Sequence, residues 1–192
     1  SNGTTLSHVA KLGASGWTPL GLGITGFGYA LAVYDDGGGP ALYVGGSFSK
    51  AGGLTSPNLA KWDGAAWTPI GGLNGAVGSL QTFDDGSGPA LYVGGVFTTA
   101  GGVASPGLVR YRGGAFEPLG SGLTGFLGFS GFAGRSLQVF DDGGGPKLYV
   151  AGNFTHAGGV LGDGIARWNG VGFEGLAGGF GGVSGDVEIA LA

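Results

Sequence analysis

Six of the chain's 12 acidic residues stand as three pairs, Asp35-Asp36, Asp84-Asp85 and Asp141-Asp142, each followed by glycine. Carboxylate oxygens recurring in this way could ligate Ca2+, a hard cation that takes carboxylates and carbonyls. The same residues suit a chain reversal. Asp closes a turn through its own backbone, Gly adopts conformations closed to other residues, and Pro40, Pro89 and Pro146 fit the entry to a following strand. No EF-hand or nonapeptide ligand spacing surrounds the pairs. The expectation is solvated turn chemistry. Asp35, Asp36, Asp84, Asp85, Asp141 and Asp142 stand as weak Ca2+ candidates, and neither a bound metal nor a cofactor is expected.

Other chemistry-bearing residues are few. The 2 histidines are His8 and His156, and His156 stands where earlier copies of a repeated unit carry Lys50 and Thr99. A lone histidine of this kind is expected to be solvated or hydrogen-bonded rather than catalytic. Glu117, Glu174 and Glu188 fall near outer strands or the chain end, whereas acid–base work needs a second group close by. Cysteine is absent, which removes disulfides, thiolate metal sites and thiol nucleophiles together. No catalytic residues are assigned, and the expectation is that the chain is not an enzyme.

Binding candidates lie where the repetition fails. A long connection carries Phe126, Phe129, Phe132 and Arg135 among small residues, with Lys50 and His156 in neighbouring loops. Aromatic residues beside an Arg on a long loop suit contact with a protein or a glycan. The competing reading is that the phenylalanines fold back to cap the core. A cation at Lys11, Lys61, Arg110 and Arg167 recurs once per unit, which signals a structural task. It is expected to reach backbone carbonyls or a neighbouring unit's acid.

The elements that position these residues are copies of one unit. Leu42-Tyr43-Val44-Gly45-Gly46 returns as Leu91-Tyr92-Val93-Gly94-Gly95 and as Leu148-Tyr149-Val150-Ala151-Gly152. A period of roughly 50 residues points to a propeller blade or solenoid turn. One unit reads as four short strands: Ala30 to Tyr34, Ala41 to Gly45, Asn58 to Trp62 and Ala66 to Ile70. Asp63-Gly64, with its counterparts Arg112-Gly113 and Asn169-Gly170, marks a two-residue hairpin between the last two.

The fold expected is an all-β propeller of four-stranded antiparallel blades, four in number, with 1–192 as one domain. Residues 1–28 supply a partial blade of strands three and four only, with Lys11 matching Lys61 and Trp17 matching Trp67. Complete blades follow over 29–77, 78–134 and 135–177, and 178–192 adds a final first strand, Asp186 to Leu191, closing the ring. That makes fifteen strands, and one position in the composite blade has none. The competing possibilities are a piece of a longer array, or self-association through the unpaired end strand.

Composition sets outer limits. The 50 glycines and 10% charged residues look like low complexity, but 42% hydrophobic and 11% aromatic content belong to a packed protein. A net charge of −4 provides no basic field for phosphate backbones, so nucleic acid is not an expected partner. Every apolar run is interrupted well short of the ~18 residues a membrane-spanning helix needs. Methionine is absent even at position 1, as expected of a processed form or a fragment.

With the strands placed, the unit resembles a kelch-type blade: an apolar strand ending in Gly-Gly, then an aromatic-Asp pair, then a Trp opening the outer strand. These are Gly45-Gly46, Trp62-Asp63 and Trp67; Gly94-Gly95, Tyr111 and Phe116; and Gly152, Trp168-Asn169 and Phe173. An added Phe-x-x-Ala-Gly-Gly segment at Phe48, Phe97 and Phe154 makes the fuller unit similar to repeats of large exported bacterial proteins, notably of planctomycetes. It is similar too to fungal cell-surface polarity markers of the Rax2 type. The resemblance implies a secreted or cell-surface, bacterial setting; the regular repeats, the uncharged composition and the absence of a paired catalytic constellation lead to an expected structural or protein-interaction role, with a carbohydrate-binding propeller as the alternative and a piece of a glycan-active enzyme as a third. Kelch-type blades also form the catalytic domain of galactose oxidase. Its copper site needs a cysteine-modified tyrosine, which a chain with 0 Cys cannot supply.

Overall fold

The computed structural model describes residues 7–125 and 133–176. It is all-β and antiparallel. The chain opens with an isolated hairpin of β1 (Ala10–Gly13) and β2 (Gly16–Pro19). A first full sheet follows, with β3 (Ile24–Asp35), β4 (Pro40–Ala51), β6 (Leu59–Trp62) and β7 (Trp67–Pro69) side by side, and β5 (Leu54–Thr55) folded onto the end of β4. The second sheet holds β8 (Val77–Asp84), β9 (Pro89–Gly95), β12 (Leu108–Arg112) and β13 (Ala115–Pro118) in the spatial order β13-β12-β9-β8, and β10 (Thr99–Ala100) pairs with β11 (Val103–Ala104). In the third, β15 (Ser136–Asp141), β16 (Pro146–Ala151), β19 (Ile165–Trp168) and β20 (Phe173–Gly175) repeat the pattern. Beside it β14 (Leu123–Thr124), β17 (His156–Ala157) and β18 (Val160–Leu161) form a small sheet.

The expected strands are thus present wherever residues are described, and the structure adds short ones, for 20 among the described residues. The additions come from the Phe-x-x-Ala-Gly-Gly segment. Its two glycines occupy the loop of a tiny hairpin at positive φ, 58° and 82° at Gly101 and Gly102, as a two-residue turn with both centres left-handed requires. The preceding linker lies alongside this hairpin, so Gly52, Gly101 and Gly158 donate their N–H groups to Gly23, Gly72 and Gly122. Phe48, Phe97 and Phe154 and Ala51, Ala100 and Ala157 are buried beneath it.

The third hairpin differs from expectation. Of the three complete units only the second has a two-residue loop there, Gly113-Gly114 between paired Arg112 and Ala115. The first and third units pair Trp62 with Trp67 and Trp168 with Phe173, leaving four-residue loops. Asp63 Oδ1 accepts from the N–H groups of Ala65 and Ala66, and Asn169 Oδ1 from those of Val171 and Gly172. A side chain that substitutes for the turn's own backbone bonds favours the longer loop.

The sheets stack in chain order. The front of the second sheet, with Leu80, Leu91, Val93 and Tyr111, packs on the back of the first, with Tyr34, Ala41, Tyr43 and Leu59. The front of the third, with Leu137, Leu148, Val150 and Trp168, packs likewise on Phe83, Ala90, Tyr92 and Leu108. Apolar alternation fills both faces of the middle sheet, as burial on two sides demands. The final strand expected over 186–191, and with it the four-blade closure, lies outside the described residues. Among the described residues no helix is long and apolar enough to cross a membrane.

Candidate functional site

Each unit builds the same polar cluster at the rim where its first turn meets its third strand. The two aspartates of a pair do different work. Asp35, Asp84 and Asp141 serve the turn: Asp35 Oδ1 accepts from the N–H groups of Gly37 and Gly39, both at 2.9 Å, and the other two copies repeat this. The second aspartate reaches inward. Asp36 accepts from the Tyr43 hydroxyl at 2.8 Å and from Lys61 Nζ at 2.7 Å. Asp85 accepts from the Tyr92 hydroxyl and from Arg110 Nη1, each at 2.7 Å. Asp142 takes the Tyr149 hydroxyl at 2.9 Å and pairs with Arg167. Tyr and cation face each other across adjacent strands, Tyr43 opposite Lys61, Tyr92 opposite Arg110 and Tyr149 opposite Arg167, so one carboxylate can receive both.

This corrects two expectations. Asp36, Asp85 and Asp142 are bound into charge clusters rather than left as solvated turn residues. In the three complete units the recurring cation, Lys61, Arg110 or Arg167, reaches the acid of its own unit's turn, not a neighbour's. The arginines also span to the outer strand, Arg110 to Glu117 at 2.7 Å and Arg167 to Glu174 at 2.6 Å. The periodicity of each residue type was readable, but the pairing of an acid with a cation 25 positions later depends on strand register.

The electrostatics follow from the contacts. Burial alone would raise Asp85, yet hydrogen bonds from Ser87, Trp168 and Tyr92 hold it well below the usual carboxylate range. The bond from Lys61 lowers Asp36, and the Tyr149 hydroxyl lowers Asp142. Burial and the bond to the neighbouring aspartate push Tyr43 and Tyr92 far above the ordinary phenol value. Asp36, Asp85 and Asp142 are therefore held as carboxylates, and Tyr43 and Tyr92 as neutral phenols.

Asp85 is the most enclosed member, its side chain 0% exposed. Its Oδ1 accepts from the Ser87 N–H and hydroxyl, and its Oδ2 takes the Trp168 indole at 2.9 Å as well as Tyr92 and Arg110. Trp168 belongs to the next unit, so this bond ties two sheets together. With its lone pairs occupied, the carboxylate has no open position for a Ca2+ ligand, and no group of three or more His, Asp or Glu residues comes together at metal-holding distance among the described residues.

The remaining candidates do not form one constellation. Lys50 lies opposite Thr25 in the first unit and His156 opposite Thr124 in the third, equivalent places in different units. His156 Nδ1 lies 2.8 Å from the Thr155 hydroxyl, and Gly125, at the start of the long connection, sits against both residues. Arg135 donates its backbone N–H to Ala151. Phe126, Phe129 and Phe132 lie outside the described residues. His8 Nδ1 is 3.1 Å from the Ile24 carbonyl oxygen. A groove between the first two rim turns is lined by Val33, Tyr34, Asp35, Pro40, Thr82 and Pro89, with the Tyr34 hydroxyl donated to the Pro89 carbonyl. Comparison of the chain with protein-family models, curated proteins and solved structures found no match.

Proposed function

We propose that the chain is a non-catalytic propeller-type repeat module, kelch-like in its units, which acts as a structural or protein-interaction element outside the cell or at its surface. The observation that supports this reading most directly is the commitment of the reactive groups. The second aspartate, the tyrosine and the cation of every complete unit are bonded to one another, and the Asp85 cluster also clamps the next unit through Trp168. Groups held this way fix geometry; a general acid or base needs a proton-transfer partner in a substrate and a pKa near the working pH. The rim groove is mostly apolar, which suits contact with another chain better than bond cleavage.

The test is a double screen of the 192-residue protein. Assayed against a panel of glycoside substrates and on a glycan array, with and without Ca2+, it is expected to show neither turnover nor binding. Hydrolysis abolished by His156→Ala or Asp85→Asn would overturn the reading in favour of a glycan-active enzyme. Array hits lost on changing Arg135 or His156 would move it to a carbohydrate-binding propeller.

A further inference from the structure

The front of the first sheet lacks what the other two fronts have. Leu80 and Leu137, at the same place in the second and third units, are 9% and 7% exposed against the back of the preceding sheet. Their equivalent Leu31 is 59% exposed, and Val33 beside it 62%. Trp168 places its indole N–H on the aspartate of the preceding unit, but the indole of its equivalent Trp62 has no hydrogen-bond partner among the described residues. Lys61 holds Asp36, yet Lys11, at the same place one unit earlier, has no carboxylate partner among the described residues. Finally, β6, β12 and β19 are paired along both edges, while among the described residues β1 is paired with β2 alone.

These four deficits converge on one structural piece. Within the molecule such needs are met at the sheet-to-sheet interfaces by the inner hairpin of the preceding unit, the indole bond at the second-to-third interface alone, since the second unit carries Tyr111 in place of Trp168. That hairpin is β3–β4 with Tyr34, Asp36 and Tyr43, or β8–β9 with Phe83, Asp85 and Tyr92. We propose that the front of the first sheet and the edge of β1 left unpaired among the described residues form a docking site for one further inner hairpin of this repeat. Its second strand adds to β1 antiparallel, as β4 adds to β6. Its aromatic and tyrosine side chains cover Leu31 and Val33, and its second turn aspartate receives the Lys11 ammonium and the Trp62 indole N–H. The partner is thus defined chemically: a hairpin of the form aromatic-Asp-Asp-Gly-x-Gly-Pro-x-Leu-Tyr-Val-Gly-Gly. Strand addition supplies main-chain bonds and the side-chain pockets supply selectivity. The inference rests on the interaction reading above and gives it a partner.

A backbone-cyclised peptide with the sequence of residues 78–95 is the probe, titrated into the 192-residue chain and followed by indole fluorescence. Saturable binding is expected, at least tenfold weaker for Leu31→Asp and for a peptide carrying Asp85→Asn. Trp62→Phe, which removes only the N–H, is expected to weaken binding several-fold with an unchanged melting temperature. No saturable binding to a chain with native β circular dichroism would overturn the proposal. So would cross-linking from a photoreactive label on Leu31→Cys, in a chain with 0 native cysteines, into the chain's own residues 177–192 instead of the peptide. Failure of the peptide with glycan screens still negative removes this partner alone, whereas turnover in those screens removes the interaction reading itself.

Discussion

Asp85 shows how a single side chain can be spent entirely on architecture. Donors from its own turn, its own second and third strands and the next unit converge on its two oxygens, so the carboxylate joins four stretches of chain. Asp85→Asn keeps the shape but removes the charge that balances Arg110, and it turns an accepting oxygen into a donating nitrogen. Breaking one partner out of a buried pair costs about 3 kcal/mol. Acid sensitivity follows with a definite sign. The folded-state pKa values of Asp36, Asp85 and Asp142 lie below the unfolded carboxylate value, so their stabilisation is complete above roughly pH 4 and is lost as pH falls through the lower folded values. Urea melts between pH 7 and pH 2 should show the native chain losing stability below about pH 4 and Asp85→Asn losing distinctly less over that interval. An identical loss in both would refute the assignment to Asp85.

At the scale of elements, strand positions were legible because each strand is a short apolar or aromatic run between turn residues, such as Leu42 to Gly46. The small hairpins were legible only in hindsight. The Ala-Gly-Gly at 51–53, 100–102 and 157–159 carries the signature of a turn with two left-handed centres, but in the second and third units its flanking strands are two residues long and show no period. The Gly-Gly that ends each second strand has a different physical cause, found only in three dimensions. A Cβ on the second glycine, Gly46, Gly95 or Gly152, would run into the backbone carbonyl of Phe27 in β3, of Ala76 just before β8 or of Ala133 just before β15. The first glycine meets different groups: a Cβ on Gly45 would run into the Val77 side chain and one on Gly94 into the Ser79 hydroxyl and the Gly134 carbonyl, whereas the third unit carries Ala151 there. Gly95→Ala should therefore destabilise by about 1–3 kcal/mol, since backbone cannot yield as a side chain can. Gly172→Ala meets nothing within 4 Å and should stay within about 0.5 kcal/mol of the parent. Chemical denaturation of both variants compares them; equal effects would show that the close approach at Gly95 carries no energetic weight.

The whole molecule behaves as a stack, in which a sheet's stability depends on how many neighbours cover it. The second sheet is covered front and back, and Leu91, Tyr92 and Val93 of β9 are 0% exposed. The first sheet has an open front along β3, and β1 and β2 stand largely in solvent. Sequence repetition alone would assign the three units equal stability; what separates them is which faces find a partner, a property of position in the stack and not of the repeated residues. Repeat proteins with nearest-neighbour energetics open from their least covered end, so hydrogen exchange should be slowest in β9, intermediate in β4 and β16, and fastest in β1 and β2. Phe154→Ala, which empties a buried site in the third unit, should then speed exchange in the third and second sheets while β4 keeps its parent rate. A uniform acceleration across all three sheets would mean that they open as one cooperative body, and that the energy of each interface is shared through the entire chain.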